Sequence, residues 1–432
     1  MREMKDGGVQ WIGEIPEKWA IVSTKFLFTI ISGATPESAK SENWDGNIRW
    51  ITPADYKTKD VYVAVGRRNL TQMGFDSCST NMVPTGSIIF SKRAPIGSVA
   101  INSADLCTNQ GCLSCINKGT SFVKFYYYVM SIATEQYELL GSGTTFKEIS
   151  AQSFSNFMLP VPSYEDQLAI SEYLDMKCAQ IDTLIANVQS QIEKLKAYKQ
   201  SMITEVVTKG LDHTVPMKES GIEWIGQIPE HWDMTRKLAF VTTDGISYGI
   251  VKLYDPDDVN GVKVLRCSDV LEGFIKPDNI RTVTREVSNE YARTILAGGE
   301  VLVNVRGSLG GCAVVPEEMA GYNIAREVAK ITLNSRMCNR YVMYYLLSRC
   351  FVEYRTSHLS GSVYVGLNIE LLSSCPLPNP ELTEQKAIAD YLDKKCSQID
   401  HLIAIKQAKI EKLEQYKQSL IYEYVTGKRE VM

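Results

Sequence analysis

Several features that are common in other classes of protein are missing from this sequence. No run of about 18 apolar residues occurs in the 432 residues, and the opening stretch, MREMKDGGVQ, contains no apolar signal segment. We therefore expect a soluble, cytoplasmic protein with no contact to a membrane. The 11 cysteines are an odd number at irregular spacing, which does not fit the disulfide framework of a secreted protein.

Metal-binding patterns are also scarce. Cys112 and Cys115 form a lone CxxC pair with Cys107 nearby, but zinc would need two more ligands. The sequence has only 4 histidines, and none has the paired spacing of a second ligand set. Buried thiols are the simpler interpretation, and we predict neither a metal site nor a cofactor bound by this chain.

Catalytic motifs are missing as well. The sequence contains no GxxxxGK[ST], GxGxxG, HExxH or GxSxG motif, and it has no Pro-Pro dipeptide, which amino-methyltransferase signatures contain. The net charge is −4, from 46 basic and 50 acidic residues, so the chain as a whole is not basic. Such a chain can bind nucleic acid only if basic residues cluster on one face or if partners supply phosphate contacts.

What the sequence does contain is a long internal repeat. Residues 166–210 and 384–428 align at a shift of 218 residues, and neither copy has Gly or Pro before its last few positions. Apolar residues recur in steps of three and four, which predicts two helices of about 40 residues, each roughly 60 Å long. So long an amphipathic helix cannot bury its stripe alone, so we expect the two copies to pack on each other as a coiled coil. The first stripe consists of Ile181, Leu184, Ile185, Val188, Ile192, Leu195, Tyr198, Met202 and Val206; the second copy repeats it with an interruption at Lys406.

The repeat extends beyond the helices. Residues 10–19, QWIGEIPEKW, match residues 223–232, EWIGQIPEHW, at a shift of 213. The sequence therefore predicts an α+β protein in which a mixed α/β globular domain and a long helix occur twice. The predicted boundaries are 1–163 and 214–381 for the globular domains, and 164–213 and 382–432 for the helices.

Each globular half contains a predicted hairpin with a basic residue in its loop. In the first half the strands Ile88–Phe90 and Val99–Ile101 flank Lys92 and Arg93. Arg306 corresponds to Arg93 at the shift of 213, and the flanking glycines correspond as well. Such a residue is well placed to bind an anion, but spacing alone explains it equally well as an incidental charge on a tight hairpin.

Local patterns in the globular halves also predict a turn and two linkers. Trp44-Asp45-Gly46 predicts a turn before a strand at Ile48–Ile51. The prolines of LPVP (159–162) and LPNP (377–380) predict linkers into the long helices, because proline prevents both helix continuation and strand pairing there. Outside the shared phrases the two halves differ strongly, which indicates one scaffold with two different surfaces.

With both repeats in view, the chain resembles the specificity subunits of type I restriction–modification systems. The resemblance covers nearly the whole length. It is carried by the WIGEIPEKW and WIGQIPEHW openings, the GSIIFSKRAPIG loop, the LPVPSYEDQLAISEYLD and LPNPELTEQKAIADYLD junctions, and the two helices that contain QID.

The resemblance implies a fold and a function. In that family the globular halves are target-recognition domains that each read one part of a bipartite DNA site, and the helices lie antiparallel in a pseudo-twofold arrangement. The helices act as a spacer and as a dock for two methyltransferase subunits, which bind S-adenosylmethionine and methylate adenine. Restriction and translocase subunits join through them, so the specificity subunit itself is not an enzyme. A single-chain nuclease or methyltransferase with duplicated domains, and a protein scaffold without a DNA role, are the alternatives.

The candidate DNA-contacting residues are basic, amide, hydroxyl and aromatic side chains in the loops of each half. For each of them a role in the scaffold or on the surface is an equally valid interpretation. In the first half they are Lys57, Lys92, Arg93, Asn109, Gln110, Thr144, Thr145 and Lys147, and in the second half Tyr248, Lys252, Arg266, Ser268, Arg306, Ser308, Arg326 and Tyr364.

Overall fold

The computed structural model describes the chain except residues 1–2, 58–59, 94, 144–146, 252–260, 277, 360–365 and 432. The chain folds into two compact units. Unit 1 consists of residues 1–188 and 408–432, and unit 2 consists of residues 189–407. Each unit therefore contains one globular domain and about half of each long helix.

The globular part of unit 1 is built on two small sheets and two strand pairs. The larger sheet is antiparallel except for its last pair, and runs in the order Phe28–Ser32, Cys112–Asn117, Ile88–Ser91, Val99–Asn102, Tyr62–Val63. The smaller sheet has the order Cys107–Thr108, Trp44–Ile51, Arg68–Leu70. The pairs are Met4–Asp6 with Glu14–Pro16, and Ala20–Ser23 with Met158–Val161. Short helices span Thr24–Leu27, Gln72–Asp76, Val123–Ile132, Thr134–Leu140 and Ala151–Ser155.

Unit 2 repeats this plan, with one strand fewer among its described residues. Its larger sheet has the order Thr242–Tyr248, Val328–Leu333, Val301–Asn304, Cys312–Val314, and its smaller sheet the order Arg281–Val283, Val262–Leu265, Asn323–Ile324. The strand pairs are Met217–Glu219 with Gln227–Pro229, and Asp233–Thr235 with Leu377–Asn379. Short helices span Arg285–Glu290, Asn339–Leu347, Arg349–Leu359 and Ile369–Ser373.

The central hairpin of each larger sheet is buried on both faces. Ile88, Ile89 and Phe90 are fully buried, and alternate residues enter different cores because successive strand side chains point to opposite faces. Ile88 and Phe90 join the core that also contains the long helices, whereas Ile89 packs beneath the smaller sheet. In unit 2, Val301 and Val303 likewise join the core that contains the long helices, whereas Leu302 packs into a separate core. The hairpin loops predicted at Arg93 and Arg306 therefore extend from rigid strands.

In both halves the chain that leaves an edge strand of the larger sheet passes closely over a strand of the smaller sheet. Ala34 N–H donates to Thr108 O at 3.0 Å, and Ile250 N–H donates to Ile324 O at 2.8 Å. A Cβ on the residue before each donor, Gly33 or Gly249, would overlap that carbonyl. Glycine is therefore required at both positions, although neither belongs to the motifs that revealed the repeat.

The prediction that LPVP and LPNP are unpaired linkers is wrong. Met158–Val161 pairs with Ala20–Ser23, and Leu377–Asn379 pairs with Asp233–Thr235. Both ribbons have two strands, so a proline can direct its missing N–H away from the partner strand. Each ribbon thus ties the end of a globular domain back to its beginning, directly before a long helix starts.

The predicted turn at Trp44-Asp45-Gly46 is a β-bulge. The strand runs without a break from Trp44 to Ile51, and its register against Arg68–Leu70 shifts between Trp44 and Ile48. Trp44 and Ile48 both pair with Leu70, so residues 45–47 bulge out of the ladder, and Asp45 has a φ of 65° in the left-handed region. A turn and a bulge favour the same residue types, so local sequence does not distinguish them.

The long helices span Tyr164–Lys209 and Leu382–Val425, and they pack antiparallel within unit 1. The rings of Tyr173 and Tyr424 lie 4.6 Å apart, and Lys417 Nζ lies 2.7 Å from the Asp182 carboxylate. From the first pair to the second, the residue number rises in one helix and falls in the other, so the two helices run antiparallel. Cys178, Ile181, Leu420 and Ile421 are among the residues buried in this packing.

Unit 2 contains the repeat-equivalent contacts. Lys199 Nζ lies 2.7 Å from Asp400, and these residues correspond to Lys417 and Asp182 at the shift of 218. The interruption at Lys406 is accommodated by a hydrogen bond of 2.6 Å from its Nζ to Gln191 Oε1. The predicted antiparallel coiled coil and internal repeat are confirmed, because the equivalent Lys–Asp ion pairs join the two helices in both units.

Part of the predicted buried stripe remains exposed. Leu184 is 50% exposed and Tyr198 is 60% exposed, although both recur at the helical spacing of the buried positions. Their repeat equivalents Leu402 and Tyr416 are 47% and 55% exposed. Periodicity identified the apolar positions, but two helices are too few to cover all of them.

A buried glutamine anchors the start of each long helix. Gln167 accepts a hydrogen bond from Phe122 N–H at 2.8 Å and donates one to Pro162 O at 3.1 Å. Gln385 makes the equivalent bonds, from Cys338 N–H at 2.8 Å and to Pro380 O at 2.9 Å. Both side chains are 1% exposed, so they satisfy backbone groups that water cannot reach.

A second anchor lies eight residues further along each long helix, where an aspartate binds both a tyrosine and a cation of the globular domain. Tyr128 donates to Asp175 at 2.6 Å, and Lys124 Nζ lies 2.6 Å from the same carboxylate. In unit 2, Tyr344 donates to Asp393 at 2.7 Å, and an arginine at the position of Lys124 pairs with Asp393. Burial raises the pKa of both tyrosines, with the hydrogen-bonded carboxylate adding to the effect.

Candidate nucleic-acid interface

In unit 1 the candidate surface begins at the loop between Ile88–Ser91 and Val99–Asn102. Lys92 Nζ lies 2.9 Å from Glu148 Oε1, and Arg93 Nε lies 2.8 Å from Glu148 Oε2. One carboxylate thus holds two adjacent cations that come from a segment 55 residues away. The cations keep the pKa of Glu148 below its usual value, against the opposing effect of partial burial.

A second loop lies against this hairpin. Lys92 N–H donates to Gly111 O at 2.9 Å, and Asn109 Oδ1 accepts from Gly111 N–H at 2.9 Å. Gln110 is exposed, and its side chain accepts a hydrogen bond from Thr35. The structure therefore brings together Lys92, Arg93, Asn109 and Gln110, which are far apart in the sequence.

The remaining candidates of the first half lie around this cluster or outside the described residues. Lys147 is exposed beside Glu148, and Lys57 is exposed shortly after the turn Pro53–Asp55. Thr144 and Thr145 lie outside the described residues. Within the described part of the chain, neither the Lys57 nor the Lys147 side chain shares a hydrogen bond or an ion-pair partner with the hairpin cations.

In unit 2 one buried amide organises the surface. Asn304, at the end of the strand Val301–Asn304, donates through Nδ2 to Cys267 O at 2.9 Å, Val270 O at 3.0 Å and Ser308 O at 3.1 Å. Its side chain is 2% exposed. Asn304 therefore joins the turn that carries Arg266 and Ser268 to the loop that carries Arg306 and Ser308.

A buried carboxylate orients the first of these turns. Asp269 accepts from Arg266 Nε and Nη2, both at 3.1 Å, and from Ser268 Oγ at 3.0 Å. It also accepts from Arg266 N–H at 2.8 Å. Because the Asp269 side chain is only 5% exposed, the guanidinium is held in a fixed direction.

The second loop approaches an aromatic ring. The guanidinium carbon of Arg306 lies 5.9 Å from the centre of the Tyr248 ring, and Tyr248 Oη donates to Leu367 O at 3.2 Å. Partial burial raises the pKa of Tyr248, which therefore remains a neutral donor. Arg326 is exposed and its backbone N–H donates to Ile250 O at 2.9 Å. Lys252 and Tyr364 lie outside the described residues.

Sequence reasoning missed the residues that hold these side chains in place. Glu148, Asp269 and Asn304 were not candidates, and neither was Asp55. Asp55 accepts from Thr52 N–H at 2.8 Å, and the Thr52–Asp55 spacing is that of a capping box. That spacing could have identified Asp55, whereas Glu148 and Asn304 show no local signal because their partners are distant in sequence.

The cysteines are thiols placed mainly in the cores. Cys107, Cys112 and Cys115 are free and buried. Burial raises the pKa of Cys107 to about 11 and that of Cys112 to about 12. Among the described residues no cluster of His, Cys, Asp and Glu could hold a metal ion, and no helix of that part is long and apolar enough to cross a bilayer.

Unit 1 thus presents cationic and amide groups on two neighbouring loops, and unit 2 presents cationic and hydroxyl groups on two loops that Asn304 joins. Guanidinium and ammonium groups bind phosphates, and amide and hydroxyl groups can read base edges. The same scaffold carries different groups in the two halves. Such an arrangement is suited to binding a polyanion at two chemically distinct surfaces.

The chain belongs to the family described as the type I restriction modification DNA specificity domain, which matches residues 16–194 and again residues 239–415. It is thus similar to specificity subunits. It is 32% identical to the type I restriction enzyme MjaIX specificity subunit of Methanocaldococcus jannaschii over 232 residues, which is 52% of this chain and about half (52%) of that relative's length. It is 21% identical to the EcoBI specificity subunit of Escherichia coli over 408 residues, 91% of this chain and 82% of the relative.

Solved structures share the fold. One chain, from work on complex assembly and conformational transition of the type I R-M system, superimposes with a TM-score of 0.70 at 16% sequence identity. The match covers 95% of this chain and 98% of that chain. The α+β architecture with two specificity domains and long helices is therefore confirmed.

Proposed function

We propose that this chain is the non-catalytic DNA sequence-recognition subunit of a type I restriction–modification complex and that it reads a bipartite, asymmetric site. The observation that carries the proposal is the pairing of one scaffold with two different loop surfaces. Identical surfaces would read a palindrome, whereas unlike surfaces read two unlike half-sites. In each half, cations would fix the register on the phosphates and the amide and hydroxyl groups would contact bases.

The chemistry would reside on partner subunits. Two methyltransferase subunits would bind S-adenosylmethionine and methylate adenine, and restriction and translocase subunits would join through them. This chain would hold no cofactor of its own.

The exposed part of the helical stripe supports a docking role. Leu184 and Tyr416 both lie at the level of the Asp182–Lys417 ion pair in unit 1. Their repeat equivalents, Leu402 and Tyr198, lie in unit 2. Half-exposed apolar residues recurring at equivalent positions fit two copies of one partner, so we assign these two patches to the two methyltransferase subunits.

Substitution of one patch at a time tests the docking assignment. Tyr416→Glu should leave a complex with one methyltransferase subunit, and Tyr198→Glu combined with it should leave none, as measured by native mass spectrometry. Ser190→Glu places the same charge at an exposed position between the patches and should retain two. Two bound subunits in the double variant would exclude these patches as the dock.

The recognition role is tested with the methyltransferase partner and labelled S-adenosylmethionine. The assembled complex should methylate adenine in one bipartite sequence, identified by mapping modified adenines, and its binding should weaken steeply as salt rises. The chain alone should transfer no methyl group. Methyl transfer by the chain alone would favour a single-chain enzyme, and a complex without sequence-specific DNA binding would favour a pure scaffold.

The spacer role has its own test. Four residues inserted after Val188 would lengthen one helix by about 6 Å. The preferred gap between the half-sites should then change, while the bases recognised in each half-site stay the same. An unchanged gap would show that the helices do not set the spacing.

A further inference from the structure

The unit 1 surface contains an acid at the point where a DNA phosphate would be expected to bind. Glu148 accepts from both hairpin cations at once, through separate oxygens, at 2.9 Å and 2.8 Å. A carboxylate that bridges a lysine and an arginine through separate oxygens uses the same charged donors that a phosphate would use. Among the described residues of unit 2, the equivalent hairpin arginine, Arg306, has no carboxylate partner and lies over the Tyr248 ring, while the carboxylate of Asp269 binds Arg266 in a different turn.

The two cations differ in how easily they could exchange partners. The Arg93 side chain is 47% exposed, whereas the Lys92 side chain is 14% exposed. A phosphate can therefore reach Arg93 while Lys92 stays in place. Glu148 is itself 34% exposed, so it can move into solvent when a stronger ligand replaces it.

We propose that Glu148 is a specificity-determining residue that occupies Arg93 in place of a phosphate, so that Arg93 contacts DNA only at the recognised site. On random DNA the loop would keep its internal ion pair, because a single phosphate does not displace a preorganised carboxylate. At the recognised half-site the base contacts of the neighbouring loop would position the duplex, and a phosphate would then replace Glu148. The inference rests on the proposed DNA-reading function.

The charge of Glu148 is constant over the working range of pH. Its pKa lies below the ordinary value, so the carboxylate is ionised throughout neutral conditions.

The test compares variants in the assembled complex on a random-sequence duplex and on a duplex with the recognised site. Glu148→Gln frees Arg93, so one more phosphate is contacted on random DNA. The slope of log K against log salt should steepen by about 0.9, and the affinity at 0.1 M salt should rise by about tenfold. Affinity for the recognised site should change less than about threefold, so specificity falls.

Three further variants make the result interpretable. Glu14→Gln removes one exposed negative charge from the strand Glu14–Pro16 of the same unit and should leave random-DNA binding unchanged. In the double variant R93A/E148Q the gain should disappear, because it depends on Arg93. Arg93→Ala alone should leave random-DNA affinity within about twofold of the wild type while it weakens the recognised site about tenfold.

The possible results distinguish a failure of the role of Glu148 from a failure of the proposed DNA-recognition function. Sequence-specific binding by the wild type, with no gain for E148Q or with a gain that persists without Arg93, overturns the role of Glu148 alone. A loss of random-DNA affinity in R93A alone also overturns it, and that result does not require E148Q to fold. Absence of specific binding by the wild-type complex overturns both.

Discussion

The two globular halves are attached to the long helices by the same hydrogen bonds, but their candidate DNA-binding loops are built from different residues. Gln167 and Gln385 make the same pair of backbone hydrogen bonds with nearly the same lengths. The loops that carry the candidate DNA-contacting residues are held by an ion pair with Glu148 in the first half and by the Asn304 amide in the second half. The contacts with the long helices are therefore kept, while the groups that would meet a ligand have been replaced.

The difference shows which parts of each domain are free to change. An anchor must satisfy buried backbone groups at the start of a helix, and few side chains can do so. A surface loop must only be held rigid, and ion pairs, amides and aromatic contacts all achieve this. A new recognition surface can therefore arise on the same scaffold without loss of the contacts to the long helices.

The largest effect is expected for the buried glutamines, whose contributions to stability should be similar in the two halves. Gln167→Leu and Gln385→Leu each leave a buried N–H and a buried C=O without partners, at about 1–3 kcal/mol per group. We expect each variant to lose about 2–5 kcal/mol of unfolding free energy. Urea unfolding followed by circular dichroism measures the loss.

Gln180→Leu and Gln398→Leu are the matched controls, because both are exposed residues of the same helices and are themselves repeat equivalents. They should change stability by less than about 0.5 kcal/mol. A large loss in one anchor variant and a small loss in the other would show that the two halves are not held in the same way.

The second prediction concerns a repeat position at which the halves differ. Asn304 corresponds to Ser91 at the shift of 213, and Ser91 Oγ makes one hydrogen bond, to Arg93 O at 2.8 Å. Asn304→Ala removes donors from three carbonyls and should cost about 2–3 kcal/mol, whereas Ser91→Ala should cost about 1 kcal/mol. Thermal unfolding of both variants checks the order, and equal losses would contradict it.

Much of the scaffold could be predicted from the sequence because its signals are local. The spacing of apolar residues predicted both long helices, and the glycine-flanked hairpins at Arg93 and Arg306 are present. The paired strands at LPVP and LPNP were missed because strand pairing depends on partners more than 130 residues away in the chain. The exposure of Leu184 and Tyr198 was missed because periodicity does not reveal how many helices share a stripe.

The candidate surface was predictable only in part for the same reason. Lys92, Arg93, Asn109 and Gln110 do lie together, since the hairpin and the adjoining loop belong to neighbouring strands. The partners that fix the direction of these side chains are remote or buried. Charge and residue type predicted which residues could bind DNA, but not which carboxylate or amide holds each of them.

The third prediction tests whether the surfaces act independently. Arg93→Ala should weaken binding about tenfold and lower the discrimination against substitutions in one half-site only, and Arg306→Ala should do the same for the other half-site. Affinities of the complex for duplexes altered in one half-site at a time give the answer. Equal loss at both half-sites from either variant would indicate a disturbance of the whole fold.

The smallest expected effect concerns the ion pairs between the long helices. Lys199 is 21% exposed and Asp400 55%, and the equivalent Lys417 and Asp182 are 24% and 56% exposed, so the two pairs meet solvent alike. Such partly exposed pairs contribute about 0.2–1 kcal/mol, and salt weakens them. Double-mutant cycles with Asp→Asn and Lys→Met should therefore give coupling energies within about 0.3 kcal/mol of each other, both decreasing between low and high salt. A coupling energy above about 1 kcal/mol in one unit and near zero in the other would mean that the repeat has diverged in the helices as it has in the loops.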